Sequence, residues 1–265
     1  DETPYAELVA KNIQSDHTAF YLNHKDLLES LEQLLAYQDE PFADSSAIVV
    51  NILSRNTRQH VTVALSGDGG DELFGGYNKH WAEWKIRNGG VAASMVNLLH
   101  PVWKWLPKSR NNAFSNKARQ LYRFSKGSKL SVSDRYWRWC GYLDQQELRQ
   151  IVSNDFIGDA DWQGYQNAKK RYLHALNKES DLNAVLYADT QLVLPNDMLT
   201  KVDLMSMCNS LEVRVPFLDH RVVEFALSLP PEYKVSAKQK KRIVQDALRE
   251  ILTPELYKLP KKGFE

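Results

Sequence analysis

The sequence predicts a mixed α/β protein in which part of a parallel sheet is followed by a largely helical C-terminal half. Two observations predict it. The run Val61-Thr62-Val63-Ala64-Leu65 is β-branched and apolar and ends abruptly in Ser66-Gly67-Asp68-Gly69-Gly70, the pattern of a buried strand entering a glycine turn. Around that strand the chain is written in helical periods, with apolar residues three and four apart. Helices alternating with strands are the rhythm of a parallel sheet, whose ligands gather at the carboxyl ends of the strands. The turn at 66–72 sits at such an end.

Taken in order, Tyr5, Ala6, Leu8, Val9 and Ile13 mark an opening amphipathic helix, and Ala19 to Leu22 reads as a short strand. Leu27, Leu28, Leu31, Leu34 and Leu35 give Asp26 to Tyr37 a helical period, and Ser45 to Arg58 reads as another helix. Beyond Tyr77 the same spacing predicts helices over 112–125, 132–140, 165–176, 184–194, 197–208, 219–227 and 240–252. Six tryptophans fall between Trp81 and Trp139, and their helical spacing makes them core rather than a stacking surface. With no Pro/Gly/Ser-rich linker in view, we expect residues 1–265 to form one domain.

Composition narrows the partners. The chain is 43% hydrophobic and 25% charged, so it can bury a core. Its 34 Lys and Arg nearly cancel its 33 Asp and Glu, leaving no global field to draw it to nucleic acid or to a membrane, and small molecules become the expected partners. No apolar run approaches the ~20 residues that span a bilayer, and we expect no signal peptide. Two cysteines, Cys140 and Cys208, are too few for a disulfide scaffold, which fits a reducing cytoplasm. The run Lys238, Lys240, Lys241, Arg242 reads as the solvated face of a helix.

The densest chemistry is Leu65-Ser66-Gly67-Asp68-Gly69-Gly70-Asp71-Glu72-Leu73-Phe74-Gly75-Gly76-Tyr77. Glycines let the backbone approach a ligand and offer N–H groups to phosphate oxygens. Three carboxylates in the same turn would repel a bare phosphate, so their presence makes sense chiefly with a divalent cation between them, magnesium being the natural choice. No Gly-Lys-Ser/Thr follows, which excludes a Walker loop, and Glu72 stands where a dinucleotide fingerprint places its third glycine.

This segment resembles the second signature of the asparagine synthetase family, the class B, glutamine-hydrolysing enzymes of the ATP pyrophosphatase (adenine nucleotide alpha hydrolase-like) fold. Asp68 stands where that family usually has Glu. The run from Asp197 to Asp219, ending in Leu211-Glu212-Val213-Arg214-Val215-Pro216-Phe217-Leu218-Asp219, is similar to the family's second long block, with Leu204 in place of the usual Arg. A looser third block comprises Lys241 to Ala247 and Leu259-Pro260-Lys261-Lys262-Gly263-Phe264; here Gln245 and Leu259 each replace an Arg.

The resemblance implies ATP-dependent amidation of aspartate to asparagine through an acyl-adenylate, with release of AMP and pyrophosphate. It implies that Leu65, Ser66, Gly67 and Gly69 line the nucleotide, that Asp71 holds Mg2+, and that Asp68 with Asp197 handles the ammonia proton. Lys261 would stabilise charge on the pyrophosphate, a compact point-charge role. Glu72, Glu212 and Arg214 would support, the last two equally well as a buried ion pair. The alternatives are amidation of another carboxylate, such as a sugar acid, and a non-catalytic remnant, against which intact Asp68, Asp71 and Lys261 argue. The family's Ser-Gly-Gly-x-Asp-Ser pyrophosphate loop and its glutaminase domain are not among these 265 residues. We therefore expect a glutaminase domain as partner in the full-length protein, little activity from the 265 residues alone, and a homodimer as an open arrangement.

Overall fold

The computed structural model describes residues 3–109, 112–141, 143, 145–153, 162–177 and 180–257. It is mostly helical, with one small parallel sheet among the described residues. The described residues pack as two compact units: those within 3–74, 192–229 and 241–257 form the first, and those within 75–191 and 230–240 the second.

In the first unit α1 spans Thr3–Asn12, α2 His24–Tyr37 and α3 Ser46–Arg58. Residues 15–23 take no regular structure, so the strand expected at Ala19 to Leu22 does not form. A strand needs a partner, and Asn23 instead commits the chain to a helix start: its side chain accepts the N–H groups of Lys25 and Asp26 while the Asp26 carboxylate takes the Asn23 N–H, a complete capping box. Asp44 starts α3 by accepting the Ser46 N–H at 2.9 Å, and it meets Lys201 Nζ at 2.6 Å.

β1, Val63–Leu65, pairs in parallel with β2, Glu212–Arg214, with Val63, Ala64 and Leu65 opposite Glu212, Val213 and Arg214. The expectation of a buried strand is corrected here. Period-two alternation puts Val63 and Leu65 on the face opposite Ala64, and that face is open, Leu65 being 72% exposed.

The predicted helix at 197–208 is split. Pro195 has no N–H to continue the preceding ladder, and Leu194–Leu199 closes as a π-helix before α13, Thr200–Met207, resumes the ordinary spacing. Met205 of α13 packs with Leu34 and Ala47, and Leu204 lies against the same cluster. Leu204 thus serves as packing for that cluster. A second cluster joins Leu73 and Phe74 of α4, Gly70–Phe74, to Ala226 of α14, His220–Ser228, with Ile243 and Val244 of α16, Arg242–Ala247, against it.

The second unit holds α5 (Asn78–Asn88), α6 (Gly90–Leu98), α7 (His100–Trp105), α8 (Ala113–Gly127), α9 (Val132–Cys140), α10 (Gln145–Leu148), α11 (Trp162–Tyr172), α12 (Leu182–Gln191) and α15 (Pro231–Lys234). Its interior is unusually polar. Arg135 donates to both oxygens of Glu83, at 2.6 and 2.8 Å, with both side chains buried. The tryptophans do not make the expected core: Trp105 is 87% exposed and the other five between 81 and 139 are half-buried, Trp81 and Trp84 carrying the Lys85 ammonium over their rings.

Candidate functional site

All described residues proposed from sequence for the site fall in the first unit, and the end of β1 gathers most of them. Pairing with β2 carries through to Ser66, whose N–H donates to the Arg214 carbonyl at 2.9 Å, so the loop leaves the sheet edge at a fixed point. The Ser66 hydroxyl then accepts the Asp68 N–H at 3.1 Å and donates to the Asp68 carboxylate, holding that side chain against the strand end. Gly70 N–H to the Gly67 carbonyl, 3.3 Å, and Leu73 N–H to the Gly69 carbonyl, 2.9 Å, turn the chain into α4.

The glycines differ in what they do. Gly69 has φ +85°, and a Cβ there would lie 2.4 Å from Leu218 Cδ2, so the turn and its packing both require it. Gly67 has nothing within 4 Å of where a Cβ would stand: no packing demands it, and its backbone lies bare to whatever approaches. Gly69→Ala is therefore expected to destabilise the protein by about 1–3 kcal/mol. Gly67→Ala should stay within about 0.5 kcal/mol of wild type. Urea unfolding of the two variants checks the contrast, and equal losses would contradict it.

The acids separate too. Asp71, in the first turn of α4, faces Lys241, whose Nζ is 3.0 Å from its Oδ1. Glu72 is buried, 1% exposed, inside the unit. Asp197 lies half-buried on the π-helix. Glu212 and Arg214 do form an ion pair, 2.7 Å, but an exposed one, because residues two apart on β2 share an uncovered face; the buried reading is corrected. Lys261 lies outside the described residues.

Lys241 is the residue that sequence reasoning left out of the site. It was visible only as part of a basic run and as the lysine opening the third block. That run is not one helical face: α16 starts at Arg242, Lys241 precedes it in left-handed conformation (φ 50°), and Lys240 belongs to the other unit, donating to Asn78 at 2.7 Å. Among the described residues no group of three or more His, Cys, Asp or Glu is placed to hold a metal by itself. A cation here would have to share Asp71 with oxygens of a ligand, which is how Mg2+ commonly sits.

A parallel strand opening into a glycine loop with a fixed aspartate and a lysine-paired aspartate defines a mixed α/β protein with a built loop at its sheet end. A family model described as "Asparagine synthase" matches residues 1–265, and the chain belongs to that family. It is 27% identical over 264 residues to "Asparagine synthetase [glutamine-hydrolyzing] 1" of Bacillus subtilis (strain 168), covering 99% of this chain and 40% of that protein. It is 27% identical over 269 residues to "Putative asparagine synthetase [glutamine-hydrolyzing]" of Mycobacterium tuberculosis (strain ATCC 25618 / H37Rv), covering 99% and 38%. With "Putative asparagine synthetase [glutamine-hydrolyzing] 2" of Methanocaldococcus jannaschii it shares 29% identity over 221 residues, covering 82% and 39%. The chain thus spans about two fifths of the length of these relatives.

Proposed function

We propose that the protein carrying this chain is an ATP-dependent ligase that amidates a carboxylic acid, aspartate giving asparagine, through an acyl-adenylate with release of AMP and pyrophosphate. The observation that carries the reading is the loop at the end of β1, where bare Gly67 backbone, Ser66-held Asp68 and the Asp71–Lys241 pair lie within six residues of chain and one cross-contact. The kinship to proteins named asparagine synthetases supports it. A sheet of ATP pyrophosphatase type belongs to the same proposal.

In this reading the backbone of Leu65, Ser66, Gly67 and Gly69 lines the nucleotide, and the open side of Gly67 admits phosphate oxygens to its N–H. Asp71 would hold magnesium, which supplies neutralisation of phosphate charge when bound. Asp68, immobilised by Ser66, takes the proton from the incoming ammonia, with Asp197 as a second carboxylate. Lys241 beside Asp71, and Lys261, offer cations to the leaving pyrophosphate. Ammonia comes from glutamine hydrolysed by a separate domain, in the cytoplasm.

The test is product analysis with the whole protein, Mg·ATP, ammonium and aspartate. The expected result is AMP and asparagine formed one to one. Formation of ADP and phosphate would overturn the acyl-adenylate step, and no ATP-dependent product from aspartate or from a panel of other carboxylic acids including sugar acids would overturn the ligase reading. AMP formed with another acid alone would reassign the substrate and keep the chemistry.

A further inference from the structure

Near-neutral net charge conceals a polarised second unit. Between Glu83 and Asp134, residues 84–133 contain ten lysines and arginines and no aspartate or glutamate, in a chain whose formal charge is +1. Among the unit's described residues the three most exposed large apolar side chains, Trp105, Leu98 and Val91, lie in this segment. On α6, Val91, Met95 and Leu98 recur one helical turn apart and are 78%, 57% and 80% exposed; on α7 Val102 and Trp105 continue the outward face.

The reason these residues point outward is that the inner side of the hairpin is pinned by polar contacts to α8. Trp103 Nε1 donates to the Val96 carbonyl at 2.9 Å, tying α7 back to α6. Ser128 Oγ donates to Asn97 Oδ1 at 2.6 Å, and His100 Nδ1 meets Ser125 Oγ at 2.8 Å while its ring stacks on Tyr122. The hairpin is therefore held in place by its polar side with its apolar side left over. Lys104 lies on α7, Lys126 in the last turn of α8 and Lys129 next to the Ser128 that bonds Asn97, so three lysines flank the hairpin; burial and then their charges hold His100 below the usual histidine range. Of them Lys126 is shared with Glu147, at 3.5 Å, while Lys104 and Lys129 are exposed.

We propose that this face, α6 and α7 with the lysines around them, docks on the surface of a membrane containing anionic phospholipid. An apolar strip on short helices, a tryptophan at its edge and flanking lysines are what the interfacial layer of a bilayer rewards. Among the described residues no helix is long and apolar enough to cross a membrane, so the contact proposed for this face is with the bilayer surface. Nucleic acid fits less well, because Val91, Met95 and Leu98 are aliphatic and neither stack on bases nor pair with phosphates. A second copy fits less well too, since two such faces would bring like charges together. The proposal stands independently of the loop at the end of β1.

Flotation of the whole protein with lipid vesicles tests it. The protein is expected to float with phosphatidylcholine–phosphatidylglycerol vesicles and not with phosphatidylcholine alone. The double variant Lys104→Gln/Lys129→Gln should weaken anionic binding about 25-fold, roughly fivefold per lysine. Leu98→Ser/Trp105→Ser should abolish it with little change in thermal midpoint, both positions being exposed. No partition into anionic vesicles overturns the proposal, as does partition that Leu98→Ser/Trp105→Ser leaves intact. So does tighter binding to an oligonucleotide that only the lysine variant loses, or a change in oligomeric state with Leu98→Ser/Trp105→Ser in a protein that ignores vesicles.

Discussion

Asp189→Ala should destabilise the second unit by about 3–5 kcal/mol at neutral pH, because it removes the acceptor from a buried cation. The Asp189 carboxylate, fully buried, takes Lys79 Nζ at 2.6 Å and the Tyr136 hydroxyl at 2.5 Å on one oxygen and His80 Nε2 at 2.5 Å on the other. Burial alone would raise its pKa, but the Lys79 charge, then His80 and their hydrogen bonds, outweigh burial and hold it down to about 2. Burial in the same cluster pushes the Cys140 thiol and the Tyr136 hydroxyl up. Because the folded carboxyl titrates below its unfolded value of 3.8, its stabilisation is present above about pH 4 and fades as pH falls toward 2. The deficit of Asp189→Ala relative to wild type is therefore largest at pH 7 and shrinks below pH 4. Urea unfolding at pH 7, 4 and 2.5 measures it; a deficit that is small at pH 7, or unchanged by acid, would show that the cluster is not anchored by this charge.

Asp71→Asn should lower ATP-dependent AMP formation by about 10²–10³-fold while shifting stability by less than about 1 kcal/mol. The side chain is partly exposed and its partner Lys241 more so, so the pair contributes little to folding. What the amide lacks is the negative charge that would hold a divalent cation against phosphate oxygens. Calorimetry with Mg2+ and a non-hydrolysable ATP analogue gives a second readout: binding should weaken at least about tenfold in the variant. Wild-type turnover in Asp71→Asn, or loss of activity accompanied by unfolding, would remove Asp71 from the proposed role.

Much of the fold is legible because periodicity and caps are local. α2 and α9 lie within two residues of their expected bounds, and Asn23 and Ser131 cap them with their own side chains. The loop at 66–71 is legible for a related reason: glycine and carboxylates concentrated at a strand end are a property of neighbouring residues, and Gly69 in fact takes the positive φ that the pattern suggests. The errors fall where a neighbour from far along the chain decides. Nothing near Val63 says which of its faces will be covered, nothing near Ala19 says that no strand will come beside it, and the tryptophan spacing does not say which side of the α6–α7 hairpin α8 will occupy.

The amino-acid sequence by itself determined helices such as α2, α3 and α9, the strand entering a glycine turn at 63–70 and the family to which the chain belongs, since each rests on short-range pattern or direct likeness, whereas α5, α6 and α7 were not read from it. Only the tertiary structure decided that Lys241 meets Asp71 across 170 residues of chain, that Glu212 and Arg214 pair in solvent, and that Asp189 gathers Lys79, His80 and Tyr136. Charge pairing depends on distance in space and on the exclusion of water, and the order of residues along a chain specifies neither until the chain has packed.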